Sequence, residues 1–254
     1  MNFRHPYLAD TQFACFAHRG GGKEHPENSR KAFEAVRDIG YRFIEIDVQA
    51  SSDGVLVVFH DDHLDDLTDG TGTLSKLPID TIQQAKISGT EPIMTLEEAL
   101  VDFPGLRFNI DIKTDHALAP TIDLMEKMNC LDRVCLASFS DQRLSAVRQH
   151  FGDRACTGAG PADVRALKYG SWLMPSPAVE ALCAQIPVWH GPIRLPTRRF
   201  NRFCNARGIA VHVWTIDEEA RMRRLIRAGV NGLITDRPTL LRKVAMEEGV
   251  WEGN

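Results

Sequence analysis

A closed α/β barrel of eight parallel strands is the fold this sequence predicts, and three observations predict it. The chain has 254 residues, close to the roughly 250 that such a barrel uses. Short apolar runs alternate with segments of helical spacing, the pattern of a parallel sheet covered by helices. Eight strand-sized slots can be counted along the chain, more regular units than other α/β folds commonly use. The expected architecture is one (β/α)8, or TIM, barrel domain over 1–254, with a small insertion after the second strand region at about 61–94.

Phe13 to Ala17 is the first expected strand. Ser29 to Ile39 follows as a helix, with Ala32, Phe33, Ala35 and Val36 at helical spacing. Phe43 to Val48 is the second strand, and Asp53-Gly54 turns the chain into Val55 to Phe59, a hairpin signal. Asp65 to Pro92 is polar and carries Gly70, Gly72 and Gly89, so it reads as a loop insertion with a short helix near Ile79 to Ala85. Thr95 then caps a helix to about Asp102, and Glu98 three residues on completes a capping box. Further strands are expected near Leu106–Ile112, Val134–Ala137, Ala155–Gly158, Trp172–Met174, Val211–Thr215 and Gly232–Ile234. Helices are expected near Ala117–Met128, Gln142–His150, Ala162–Leu167, Arg198–Ala206 and Glu218–Ala228.

The net charge of −4 gives no long-range positive field, so a nucleic-acid partner is not expected. No run approaches the roughly 18 apolar residues of a membrane span, and Met1 to Asp10 lacks the apolar core of a secretory signal. Stable membrane insertion is therefore not expected. Cys15, Cys130, Cys135, Cys156, Cys183 and Cys204 show no CxxC spacing. They read as small buried thiols rather than a disulfide framework or zinc site, which points to a reducing, cytoplasmic setting.

The chemistry concentrates on two strands. In Ile44-Glu45-Ile46-Asp47-Val48 the two carboxylates share one face, because residues i and i+2 of a strand point the same way. A parallel barrel covers both faces of its sheet, so this pair loses hydration and needs something positive beside it. Asn109-Ile110-Asp111-Ile112-Lys113 repeats the pattern on the next strand. Glu45, Asp47 and Asp111 then form an all-oxygen set suited to a hard divalent cation, Mg2+ or Ca2+. Ion pairing with nearby Arg or Lys is the structural alternative. Lys113 adds a point charge for an anion. His18 ends the first strand ahead of Arg19 and Gly20-Gly21-Gly22, and His60 ends the strand from Val55. Two imidazoles at strand ends, where barrel chemistry sits, suit general acid and base work. The glycines lack phosphate-loop spacing and read as a tight turn that brings Arg19 toward a phosphate. There is no GxSxG elbow.

These runs resemble one family. HRGGGKEHPENS (His18 to Ser29), IEIDVQASSDGVLVVFHDDHL (Ile44 to Leu64) and TDGTG (Thr68 to Gly72) are similar to the signature of glycerophosphodiester phosphodiesterases, with NIDIK, VHVWTID and NGLITDRP following in order. The resemblance, to the short cytoplasmic-type members, implies cleavage of small glycerophosphodiesters to glycerol 3-phosphate and an alcohol. It implies Glu45, Asp47 and Asp111 on the metal, His18 and His60 as the acid/base pair, and Arg19 and Lys113 on the phosphate. Trp214 would line the pocket. Two positions depart from the family pattern: Asp111 stands where Glu is usual, and Asp66 follows Leu64-Asp65 where Arg is frequent. Related activities on the same barrel, lysophospholipase D and sphingomyelinase D-like cleavage, would need an apolar groove at the mouth. The loops Asp61–Thr73 and Gly158–Asp163 read as polar, which favours a deacylated, water-soluble substrate. A catalytically silent phosphodiester-binding protein is the alternative outside enzymes.

Overall fold

Eight parallel strands form the sheet, each followed by a helix, in a computed structural model that describes residues 5–253. Residues 1–4, with Arg4 of the N-terminal stretch read above, and residue 254 lie outside the described residues. The barrel strands are β1 (Ala14–His18), β2 (Phe43–Ala50), β3 (Arg107–Ile112), β4 (Val134–Ala137), β5 (Cys156–Thr157), β6 (Cys183–Pro187), β7 (Ala210–Trp214) and β8 (Gly232–Thr235). Their helices are α1 (Arg30–Asp38), α2 (Leu96–Asp102), α3 (Leu118–Met128), α4 (Asp141–Phe151), α5 (Pro161–Ser171), α6 (Arg198–Asn205), α7 (Glu219–Arg227) and α8 (Pro238–Glu247). Strands pair in chain order and β1 pairs with β8. The ring closes between β5 and β6 through a parallel bridge from Gly158 to Cys183.

The pleat sorts the side chains. Ile44, Ile46 and Val48 of β2 and Phe108, Ile110 and Ile112 of β3 face outward into the main core, where they meet Phe33, Leu96 and Leu100 from the helices. Inside the ring, Ala14, Phe16, Phe43, Cys135, Cys156, Cys183 and Ala210 pack with Tyr7 as a second cluster. Tyr7 belongs to a short 3-10 turn (Pro6–Leu8) that plugs the N-terminal end, held where Arg107 donates to its carbonyl at 2.9 Å.

The excursion after β2 carries the short strand Leu56–Val58, antiparallel to β2. It continues through a helical turn (Ile79–Ile82) and a small hairpin (Lys86–Ile87 with Glu91–Pro92). Phe59, Leu64, Leu74, Ile82 and Ile87 give this insertion its own apolar cluster. Ser29 caps α1, and the Thr95–Glu98 capping box opens α2.

Two expectations need correction. Trp172–Met174 is not a strand: α5 runs to Ser171, Trp172 caps it, and the apolar triplet lies at the surface with Leu173 86% exposed. The sixth strand is Cys183–Pro187, whose polar Gln185 and terminal Pro187 hid it from an apolar-run criterion. A further helix, α8, begins with Pro238 in its first turn, where the missing N–H costs nothing. The end of the chain docks: Trp251 packs edge-on against Tyr41 at 5.2 Å, and the Glu252 carboxylate accepts from the Gln12 N–H.

Candidate active site

The C-terminal ends of β1, β2 and β3 bring His18, Glu45, Asp47, Asn109 and Asp111 to one interior layer, with Lys113 just beyond β3. Register explains it: His18 lies opposite Glu45, Glu45 opposite Asn109, and Asp47 opposite Asp111. Glu45 is 7%, Asp47 2% and Asp111 7% exposed.

Cations thread between these acids. Lys113 Nζ donates to Asp47 Oδ1 at 3.0 Å and to Asp111 Oδ2 at 3.1 Å. Arg19 Nε lies 2.9 Å from Asp47 Oδ2, and its Nη1 donates to Glu27 Oε1 at 2.9 Å. Arg19 itself has a positive φ of 52°, a sparsely populated conformation for a side-chain-bearing residue. The next residue, Gly20, has φ 82°, and a Cβ there would meet the Ala32 side chain at 2.7 Å. The glycine turn is thus a packing requirement as well as a bend.

The charges are unevenly compensated. Burial, then the Asp47 charge, pushes the Glu45 carboxyl up to about 8. Burial also raises Asp111, against the pull of Lys113. Asp47 goes the other way: burial opposes its charge, but Lys113, Arg19 and His60 outweigh it and hold the carboxyl below its ordinary range. Glu45 Oε2 and Asp111 Oδ1 are buried without a hydrogen-bond partner.

Each histidine is held through Nδ1 by an aspartate. His18 Nδ1 lies 2.6 Å from Asp236 Oδ1, and its Nε2 is 3.7 Å from Glu45 Oε2. Burial lowers the His18 pKa, but Glu45 and Asp236 outweigh it, so the imidazole gains its proton above the usual range. His60 Nδ1 lies 2.6 Å from Asp61 Oδ1, while Gln49 holds the His60 and Asp61 carbonyls at 2.9 and 2.6 Å.

The glycerophosphoryl diester phosphodiesterase family model matches residues 18–240, the span that contains every one of these groups. The chain belongs to this family. It is 36% identical over 248 residues to "Probable glycerophosphodiester phosphodiesterase 2" of Mycobacterium tuberculosis, covering 94% of this chain and 93% of that relative. It is 30% identical to a glycerophosphodiester phosphodiesterase of Caldanaerobacter subterraneus, covering 92% and 98%. A solved glycerophosphodiester phosphodiesterase from Agrobacterium tumefaciens superposes with a TM-score of 0.76 at 20% identity, over 92% of this chain and 99% of that one, a likeness of fold. The chain is accordingly a phosphoric diester hydrolase.

In this phosphodiesterase, His18, Glu45, Asp47, Asp111, Lys113 and Trp214 line one cavity of about 570 Å³, while Arg19 and His60 stand outside its lining. Trp214 meets Phe139 edge-on at 5.9 Å across the mouth. The rest of the lining is an apolar wall of Ala159, Pro161, Val164, Ile186 and Leu195 interrupted by Arg165, Lys168, Gln185 and His190. Gly158–Asp163 therefore contributes grease to the cavity, contrary to its polar reading. Phe139, Tyr169, Trp172, Leu173, Met174, Trp189 and Ile193 leave much of their surface exposed, and three of them, Phe139, Tyr169 and Ile193, line the cavity itself.

Sequence reasoning missed Asp236, Asp61, Glu27 and Asn28, which orient the residues it named. Asp236 was visible only as one acid inside NGLITDRP, just past the end of β8. The three carboxylates share a layer, yet their oxygens do not converge as one tight set. Among the described residues, the acidic, His or Cys ligand atoms that all lie within 4.8 Å of one another are those of Cys135, Cys156 and Cys183. These three lie together although no spacing in the sequence marks them as a group. All six cysteines are free and buried.

Proposed function

We propose that this enzyme hydrolyses glycerophosphodiesters to glycerol 3-phosphate and an alcohol, with His18 and His60 as the acid/base pair. The observation that carries the reading is the matched pair of imidazoles, each fixed through Nδ1 by an aspartate. That contact sets the tautomer and leaves Nε2 for the substrate. His18, charged to higher pH by Glu45 and Asp236, suits the acid that protonates the leaving alcohol. His60, more open to solvent, suits the base that takes the proton of the attacking hydroxyl.

A hard divalent cation, Mg2+ or Ca2+, fits Glu45, Asp47 and Asp111. The donor chemistry is all oxygen, and the unpartnered Glu45 Oε2 and Asp111 Oδ1 are groups a cation would satisfy. The chemistry it supplies there is neutralisation of charge on phosphoryl oxygens. Arg19 and Lys113, anchored on Asp47, would face the same phosphate and stabilise charge as it develops. Trp214 would pack against the substrate. Asp111 reaches one methylene less than the family's usual Glu. We take residues 1–254 as one catalytic domain, and the six free thiols fit a reducing, cytoplasmic setting.

A second reading concerns the alcohol or glycerol substituent. The apolar wall and exposed rim favour a diester that carries one hydrocarbon chain, as in lysophospholipase D chemistry, over small head groups alone. The deciding experiment measures glycerol 3-phosphate from glycerophosphocholine by a coupled assay, with and without chelator, beside a lysophospholipid. Metal-dependent release from glycerophosphocholine supports the main reading. Full activity in chelator removes the metal, and turnover of the lysophospholipid alone replaces the substrate.

A further inference from the structure

Three thiols meet inside the barrel, in the cluster that Tyr7 plugs, below the carboxylate layer. Cys135 on β4, Cys156 on β5 and Cys183 on β6 are all 0% exposed. Their sulfurs lie within 4.8 Å of one another, and Cys135 Sγ is 3.4 Å from Cys183 Sγ. Strand register brings them together: Cys135 lies opposite Cys156, and Cys183 takes the bridge that closes the barrel.

Thiols acting as small apolar fillers would account for the cysteines but not for their neighbours. The Tyr7 hydroxyl and His212 Nδ1 are both buried without a hydrogen-bond partner. Tyr7 packs with the three cysteines in one cluster, and the His212 ring, 1% exposed, lies against Phe16 of the same cluster at 4.8 Å. A buried polar group left unpaired is destabilising. Two such groups around three thiols mark a partner that the side chains do not themselves supply. The spacing indicates its size. Zn–S bonds of about 2.3 Å in a tetrahedral site put sulfurs roughly 3.8 Å apart, inside the 4.8 Å that bounds all three sulfurs here. A donor set of three sulfurs is soft, suited to Zn2+ or Cu+ and unsuited to Mg2+ or Ca2+.

We propose that Cys135, Cys156 and Cys183 hold one soft cation of the zinc class in the barrel floor. Each thiol loses its proton to solvent as its sulfur bonds the metal. The Tyr7 hydroxyl then has a thiolate to donate to. The site is structural: it ties three consecutive strands across the seam where the barrel closes. It is independent of the carboxylate layer and of the reaction proposed there.

Elemental analysis of the full chain, grown with zinc or with copper and desalted through EDTA, tests this directly. About one equivalent of zinc or copper per chain is expected, retained in EDTA while folded and released on unfolding. Metal should survive in Cys15→Ser and in Glu45→Gln, and be lost in Cys156→Ser with a lower Tm. Should Cys156→Ser not fold, the wild-type chain refolded with Co2+ still decides, through a thiolate-to-cobalt charge-transfer band. A metal-free chain with six titratable thiols and a Tm indifferent to zinc overturns the proposal. So does a Cys135–Cys183 disulfide, or metal lost in Glu45→Gln but kept in Cys156→Ser.

Discussion

The two ends of the barrel are built from the same strands and the same pleat, yet they hold opposite chemistries. At the floor, β1, β2 and β4 to β7 turn inward Phe16, Phe43, small alanines and three thiols, plugged by Tyr7. Two to four residues further along β1 and β2, the inward positions are His18, Glu45 and Asp47. The floor keeps its groups packed and buried. The mouth forces three acids, two cations and a histidine into a layer that leaves Glu45 Oε2 and Asp111 Oδ1 unpaired. Stability and reactivity are thus separated along the strand axis, as barrels generally separate them. Mutations at the two ends should divide the same way.

The largest effect belongs to the mouth. His18→Ala or His60→Ala should lower kcat by about 10²–10⁴, with Tm little changed because both side chains are partly exposed. The double variant should lose less than the product of the single losses, since groups acting as a unit are not additive. Steady-state kinetics on glycerophosphocholine checks both, and a near-normal kcat in either single variant removes that histidine from the pair. At the floor the reverse is expected. Phe16 is fully buried against Phe43 and His212, so Phe16→Ala should cost about 3–5 kcal/mol in denaturant unfolding, while kcat per folded molecule stays near wild type. A loss of kcat without a loss of stability would break the division.

A smaller effect tests how the mouth is held together. Asp236→Asn keeps the shape but removes the charge that holds His18 Nδ1. It should lower kcat by roughly tenfold or more if His18 transfers a proton, and it should shift His18 titration to lower pH by NMR. An unmoved His18 titration would show that Glu45 alone sets its charge.

Both ends differ in how far the sequence foretells them. The acids on β2 and β3 were legible because alternation with isoleucine dictates their face before any contact is known. The barrel followed from the alternation of strands and helices. Asp236 and Asp61 were not legible as partners, because a hydrogen bond to an imidazole depends on loop paths that no period encodes. The sixth strand was misplaced because Trp172-Leu173-Met174 looks more strand-like than Cys183–Pro187. That apolar triplet is instead surface, beside the cavity rim. The thiol cluster was invisible for a plainer reason: Cys135 and Cys183 are 48 residues apart in sequence, and only barrel closure makes them neighbours.

The smallest expected effect is on stability against pH, and it sharpens the contrast most. Glu45 gains its proton far more readily in the folded chain, with its pKa pushed up to about 8 by burial and Asp47. Between the ordinary carboxylate range and about 8, the folded state therefore binds a proton that the unfolded state has released. By linkage, the metal-free enzyme should lose stability as pH rises through that window. His18, whose folded pKa is also raised, works in the same direction above its ordinary range. Asp47 works oppositely, since its depressed pKa adds stability that is lost only below the carboxylate range. Glu45→Gln keeps the shape, removes the titrating group, and withdraws the charge that raises His18. Its metal-free Tm should fall less between pH 5 and pH 8 than that of the wild type. Added Mg2+ or Ca2+ should raise the wild-type Tm most at the alkaline end, where the carboxylate is free of its proton, and should do little in the variant. Parallel Tm curves for the two proteins in the absence of metal would mean that Glu45 is relieved in some other way, and that the mouth is no more strained than the floor.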